Sequence, residues 1–274
     1  MFLMKKKIKN SQKIKLDKKS IYLRKLILMC LKKERRGHVG SAMSLVEILR
    51  VLYSKYIKKG KSKFILSKGH GCLALYAILY DHGFITRKNL ESVGKFNSIL
   101  GGHPEHDKIN GVEISTGALG HGLPIAVGMA IGSKIKKNKI KYYVVCGDGE
   151  INEGSVWEAM LSASKHNLNN LILLIDYNKL QSYGRTKEIL DLEPLTAKLK
   201  SFNFNTININ GHSVKEIDSA LKKGNRSKQK PTAIICHTVK GKGIKLAENN
   251  PFWHHKSMLS DKDLKDIENT LEKY

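Results

Sequence analysis

The sequence lacks any run of 18 or more apolar residues, so no segment is long enough to cross a bilayer as a helix. Its start, "MFLMKKKIKNSQKIK", has no apolar h-region and no small-residue cleavage site, and does not read as a secretory signal. Cysteine is scarce. Cys30, Cys72, Cys146 and Cys236 lie far apart, with no CxxC pair and no Cys/His cluster. They predict buried thiols in a reduced, cytoplasmic protein. Acid is short as well: 24 Asp and Glu stand against 49 Lys and Arg, giving a net charge of +25. Such a surplus can mark a nucleic-acid surface. Here the lysines run from Lys5 to Lys273 with no aromatics interleaved among basic clusters, and they predict solvated helix faces instead. A general attraction for phosphorylated small molecules is the functional use that remains. Neither GxxxxGK[ST] nor a helix-opening GxGxxG is present, which argues against a Walker-type nucleotide site and against a dinucleotide site. No internal repeat or low-complexity linker divides the chain. Residues 1–17 form a basic lead-in, and 18–274 are expected to form one domain, a size ordinary for a single α/β core.

What is present is a regular alternation. Apolar residues from Ile21 to Leu31 recur at helical spacing, and Gly37 is expected to end that helix. Ser44, with Glu47 three residues on, predicts a capping box opening a helix to about Tyr56. "KFILS" predicts a strand, and 69–82 a small-residue helix. Glycine-rich residues 95–117 predict a long functional loop. Helices over 120–137, 153–166, 193–201 and 213–223 then alternate with strands over 141–146, 170–175, 204–209 and 232–236. The runs "YYVVC", "LILLI" and "TAIIC" have the continuous apolarity of strands buried on both faces. The expected fold is therefore α/β, three-layered, with a mostly parallel central sheet covered by helices. A polar, capped helix, "SDKDLKDIENTLEKY", closes the chain.

In such a sheet, ligands bind beyond the carboxyl ends of the strands. Asp148 follows one strand and Asn178 follows the next, 30 positions on (178 − 148). A carboxylate, an amide oxygen and a nearby carbonyl are hard ligands suited to magnesium, which also takes phosphate oxygens and water. Gly147 and Gly149 would give a diphosphate room to approach the backbone, and the following helix would aim its N-terminus at the same anion. These residues predict a magnesium–diphosphate site.

"GDGEINEG", placed 30 residues before the asparagine of "DYNK", resembles the thiamine diphosphate motif. "RRGHVGSAMSLVEIL", "FILSKGHGCLALYAIL", "GGHPE", "GVEISTGALGHGLPIAVGMA", "NKLQSYG" and "HTVKGKGIKLAENNPFWHH" resemble the transketolase family, in family order, over about residues 20–256. The resemblance implies that Asp148, Asn178 and the Leu180 carbonyl hold magnesium. It implies that His70, Gly117, Leu119, Gly149, Asn178 and His254 contact the cofactor. His38, His103 and His254 would flank the reacting centre and donor sugar, and Glu153 would face a subunit interface. The choice of His254 over its neighbour His255 is open. His121 stands where the family usually has glutamine, and His166, His212 and His237 are expected to be structural or surface residues.

A full transketolase chain is more than twice this length. No segment here resembles its second domain, which grips the pyrimidine half of the cofactor. The resemblance therefore implies a C-terminal partner subunit, a heterotetramer, and transfer of a two-carbon ketol unit from a ketose phosphate to an aldose, with no nucleic acid and no membrane as partner. The enzyme alternatives are a specialised-sugar transketolase, a 1-deoxyxylulose-phosphate-synthase-like enzyme and a protein like the alpha chain of a 2-oxo acid dehydrogenase. A basic scaffold on a degenerate enzyme fold is the non-enzyme alternative.

Overall fold

The structure, a computed structural model, describes residues 14–254, 256 and 258–273. Most of the basic lead-in, and His255, lie outside the described residues. Helix α1 (Lys18–Glu34) opens at Asp17, whose side chain accepts from the Ser20 N–H at 2.9 Å. It ends before Gly37. Arg35 takes the left-handed conformation (φ 61°) and its N–H bonds the Leu31 carbonyl, so an arginine does the work expected of glycine.

The expected capping box at Ser44 does not form. Helix α2 (Val39–Val51) is capped six residues earlier (44 − 38), at His38. Ser44 sits inside it, donating to the Asp176 carboxylate at 2.6 Å, and Glu47 is buried against Arg24 and His212. The S-x-x-E spacing also puts two polar side chains on neighbouring inward positions of a helix, and burial decides which reading holds. The last residues, Leu52–Tyr56, widen into a π turn.

Strand β1 (Ser62–Leu66) is followed by a single 3₁₀ turn and α3 (Cys72–Asp81). After the short α4 (Arg87–Glu91), residues 92–121 contain no helix or strand. The βα alternation then runs through α5 (Gly122–Ile135), β2 (Lys141–Gly147), α6 (Gly154–Lys165) and β3 (Leu171–Tyr177). A small hairpin, β4 (Leu180–Gln181) and β5 (Gly184–Arg185), and the one-turn α7 (Thr186–Ile189) occupy a stretch the sequence reading leaves as loop. Helix α8 (Leu195–Ser201), β6 (Asn205–Asn210), α9 (Val214–Asn225), β7 (Thr232–His237) and α10 (Asp261–Glu272) complete the order. The final helix has the capping box its sequence predicts, Ser260 with Asp263.

The central sheet has five strands in the order β1-β2-β3-β7-β6, every pair parallel. Its side chains alternate between two cores. Tyr143, Val145 and Leu174 face the layer of α1, α2, α3, α9 and α10, while Val144, Cys146 and Leu173 face α5, α6 and α8. Both faces being covered is what allows β3 to be buried at every position. Because all strands run the same way, the segments after β1, β2, β3 and β7 emerge together along one edge.

Candidate active site

Those four segments line a cavity of about 390 Å³. Lys68 and His70 come from the turn after β1, Asp148 and Gly149 from that after β2, Asn178 and Leu180 from that after β3, and Lys240 from that after β7. The long loops supply His103, Gly117, Leu119 and His254, and His38 comes from the start of α2. All ten residues expected from the sequence to bind metal, cofactor or donor therefore border one space.

The histidines converge. The His38 ring centroid lies 5.1 Å from that of His70 and 5.9 Å from that of His254, and His70 and His254 are 6.2 Å apart. His103 is exposed. It packs its ring against Gly117, where an added Cβ would come within 3.1 Å of it. Gly117 also has a φ of 153°, so both space and backbone favour glycine there. Burial first, then the charge of Lys68, holds the His70 pKa well below its ordinary value, and this imidazole is neutral at neutral pH. Burial also lowers that of His103. His254 contacts Ser182 Oγ through Nε2 at 3.1 Å and Lys240 Nζ through Nδ1.

Asp148 is buried at 1% exposure. Its Oδ1 accepts from the Gly149 N–H at 2.8 Å and its Oδ2 from the Lys179 N–H. Burial, and then the neighbouring charge of Asp176, raise its pKa. Asn178 Oδ1 accepts from the Leu180 N–H at 3.1 Å, and the Leu180 carbonyl accepts from Lys240 Nζ at 2.8 Å. The three oxygens keep further lone pairs. A carboxylate that burial makes costly to ionise, beside an amide oxygen and a carbonyl, suits a hard divalent cation. Among the described residues no group of three or more His, Cys, Asp or Glu could hold a metal, so a cation here would rely on this mixed set.

Sequence reasoning passed over four buried charged residues of this edge. Lys68 Nζ meets Asp176 Oδ2 at 2.6 Å, and Asp176 also accepts from Ser44 and Thr238. Lys240 is buried too, and burial, then Lys68, lower its pKa. Glu150 lies inside "GDGEINEG" but was overshadowed by its neighbours. It accepts from the N–H groups of Gly120 and Gly147 at 3.1 and 3.0 Å and from Ser67 Oγ at 2.5 Å. One carboxylate thus ties together three loops of the edge.

The two glycines around Asp148 both line the cavity and differ in their protein surroundings. At Gly147 an added Cβ would make only ordinary contact with Lys68. At Gly149 it would come within 2.8 Å of the Gln181 Cβ, so the residue makes room for the β4–β5 hairpin as well as for any ligand. Gly149→Ala is expected to destabilise the fold by about 1–3 kcal/mol through overpacking, read by urea unfolding. Glu153 is exposed at the N-cap of α6 and borders the cavity. His121 is exposed, His166 caps the end of α6, and His212 and His237 are buried in hydrogen bonds to Glu47 and Asn208.

A parallel sheet whose carboxyl edge gathers buried cationic side chains, hard oxygen donors and a histidine cluster defines a site for an anionic cofactor with a proton-handling end. Residues 17–272 match the family described as transketolase, thiamine diphosphate binding domain. The chain belongs to the transketolase family and carries its thiamine diphosphate binding domain. It is 38% identical over 240 residues to an apulose-4-phosphate transketolase subunit of Phocaeicola vulgatus, covering 85% of both chains. It is 36% identical over 231 residues to the transketolase of Homo sapiens, covering 81% of this chain but 36% of that one. The solved transketolase of Campylobacter jejuni superposes with a TM-score of 0.86 at 30% identity, over 93% of this chain and 42% of the other.

Proposed function

We propose that this chain is the diphosphate-gripping half of a two-chain transketolase, moving a two-carbon ketol unit from a ketose phosphate to an aldose with thiamine diphosphate and magnesium. The observation that carries the reading is the edge cavity, where oxygen donors stand beside three histidine rings spaced 5.1–6.2 Å apart. Asp148, Asn178 and the Leu180 carbonyl would hold magnesium. Gly149, Gly117, Leu119 and His70 would line the cofactor, and Lys68 and Lys240 would balance the diphosphate charge. Bound there, thiamine diphosphate supplies a carbanion-stabilising electron sink. His38, His103 and His254 hold donor hydroxyls and move protons near neutral pH, for which imidazole is suited. His70, kept neutral, can donate a hydrogen bond from one ring nitrogen and accept at the other.

A cofactor with two rings needs a second wall, and the partner is a C-terminal subunit in a heterotetramer of two copies of each chain. Leu119, Ile125 and Leu161 are exposed at 37%, 42% and 59%, apolar area that such a partner would cover. Glu153 would face that interface. The Phocaeicola vulgatus relative, of similar length and itself named as one subunit of its transketolase, supports this arrangement. The reduced cytoplasm suits the four free, buried cysteines, and among the described residues no helix is long and apolar enough to cross a membrane. Neither nucleic acid nor a membrane is a partner in this reading. A donor screen with the reconstituted pair tests the reaction class. Turnover of ketose phosphates but not pyruvate is expected, and a preference for pyruvate would overturn it.

A further inference from the structure

Resting on that reading, we propose that Gln181 is a diphosphate-binding residue, its side-chain amide donating to an oxygen of the magnesium-bound diphosphate. Gln181 lies on β4 and lines the cavity beside Asp148 and Lys240. Its Nε2 is buried and has no hydrogen-bond partner. A buried amide donor left unpaired is costly, and native folds rarely keep one without a reason. The Asp148 and Glu150 carboxylates, which line the cavity, accept from other donors and not from it. Asp148 receives the N–H groups of Gly149 and Lys179, and Glu150 receives those of Gly120 and Gly147.

The side chain is also held in place. Its Cβ lies 2.8 Å from where a Gly149 Cβ would be, so the absence of a side chain at 149 lets the hairpin close over the turn that carries Asp148. The same cavity also holds the ammonium groups of Lys68 and Lys240, both buried. An unpaired neutral donor, in a cavity that Lys68 and Lys240 also line, is matched by a ligand that brings several anionic oxygens. A diphosphate does so, whereas a single water would bring no anionic oxygen to Lys240, which meets the Leu180 carbonyl and the His254 ring while Lys68 is already paired with Asp176.

The test is calorimetric titration of the full chain with inorganic pyrophosphate in magnesium, comparing wild type with Gln181→Leu, Gln181→Met, Gln181→Glu and Asp148→Ala, each checked for an unchanged thermal melt. Loss of a hydrogen bond to a charged group predicts roughly tenfold weaker binding for Gln181→Leu and Gln181→Met. Gln181→Glu is expected to bind more weakly still, because it adds a negative charge. In the reconstituted pair the affinity for thiamine diphosphate falls by the same factor, since the contact is to the diphosphate. Unchanged affinity in both neutral variants, while Asp148→Ala abolishes binding, overturns the role of Gln181 alone. No pyrophosphate binding by wild type, or full binding by Asp148→Ala, overturns the functional reading and this inference together.

Discussion

Replacing Asp148 with alanine is expected to weaken magnesium-dependent thiamine diphosphate binding by roughly 100-fold or more, about 2.8 kcal/mol, in the reconstituted pair. The carboxylate is the one anionic donor among the three oxygens proposed for the metal, so Asn178 and the Leu180 carbonyl cannot replace its charge. The substitution separates function from folding. Burial, then the charge of Asp176, already disfavour ionised Asp148, and the unliganded variant is expected to stay folded. Tight binding retained by Asp148→Ala, measured by titration calorimetry with and without magnesium, would exclude the proposed metal site.

The largest stability effect is expected away from the cavity, at Glu47. This carboxylate meets Arg24 Nη1 at 2.6 Å and Nη2 at 3.1 Å, and His212 Nδ1 at 2.7 Å. The Val239 N–H donates to His212 Nε2 at 2.9 Å, so Nδ1 carries the proton given to Glu47. Arg24 also donates to the Met43 and Lys242 carbonyls. The network joins α1, α2 and the loop holding Lys240, all at about 1% exposure or less for Arg24 and Glu47. Glu47→Gln leaves Arg24 buried without its counter-charge, and breaking such a pair costs about 3–5 kcal/mol. In a chain of this size that lowers the melting temperature by on the order of 10 °C.

The pH dependence follows from the same contacts. Burial raises the Glu47 pKa, but Arg24 and His212 outweigh it and hold the carboxyl well below its usual 4.5. A depressed folded-state pKa gives stability that is present above 4.5 and is lost as the pH falls through the folded value. The gap between wild type and Glu47→Gln should therefore be full at neutral pH and shrink in strong acid. A gap that widens below pH 4.5 would contradict the assignment.

The α/β architecture was legible because β2, β3 and β7 are apolar runs with helical spacing between them, and because strand-end Asp148 and Asn178 sit one βαβ unit apart. The helix start at Val39 was not. His38 makes no side-chain cap bond, while Ser44 and Glu47 imitate a cap and are instead drawn inward by Asp176 and Arg24. The buried lysines were invisible for a related reason. In a sequence with so many lysines, nothing local marks Lys68 and Lys240 as different, and only the edge's carboxylates and carbonyls explain their burial. Gln181 likewise gains meaning only from its contact across space with Gly149.

Ketol transfer measured for this chain alone, for its partner alone and for the two together tests the central claim most directly. Transfer from a ketose phosphate to an aldose in the mixture, and in neither component, is predicted. Thiamine-diphosphate-dependent transfer by this chain alone, purified to homogeneity, would contradict it.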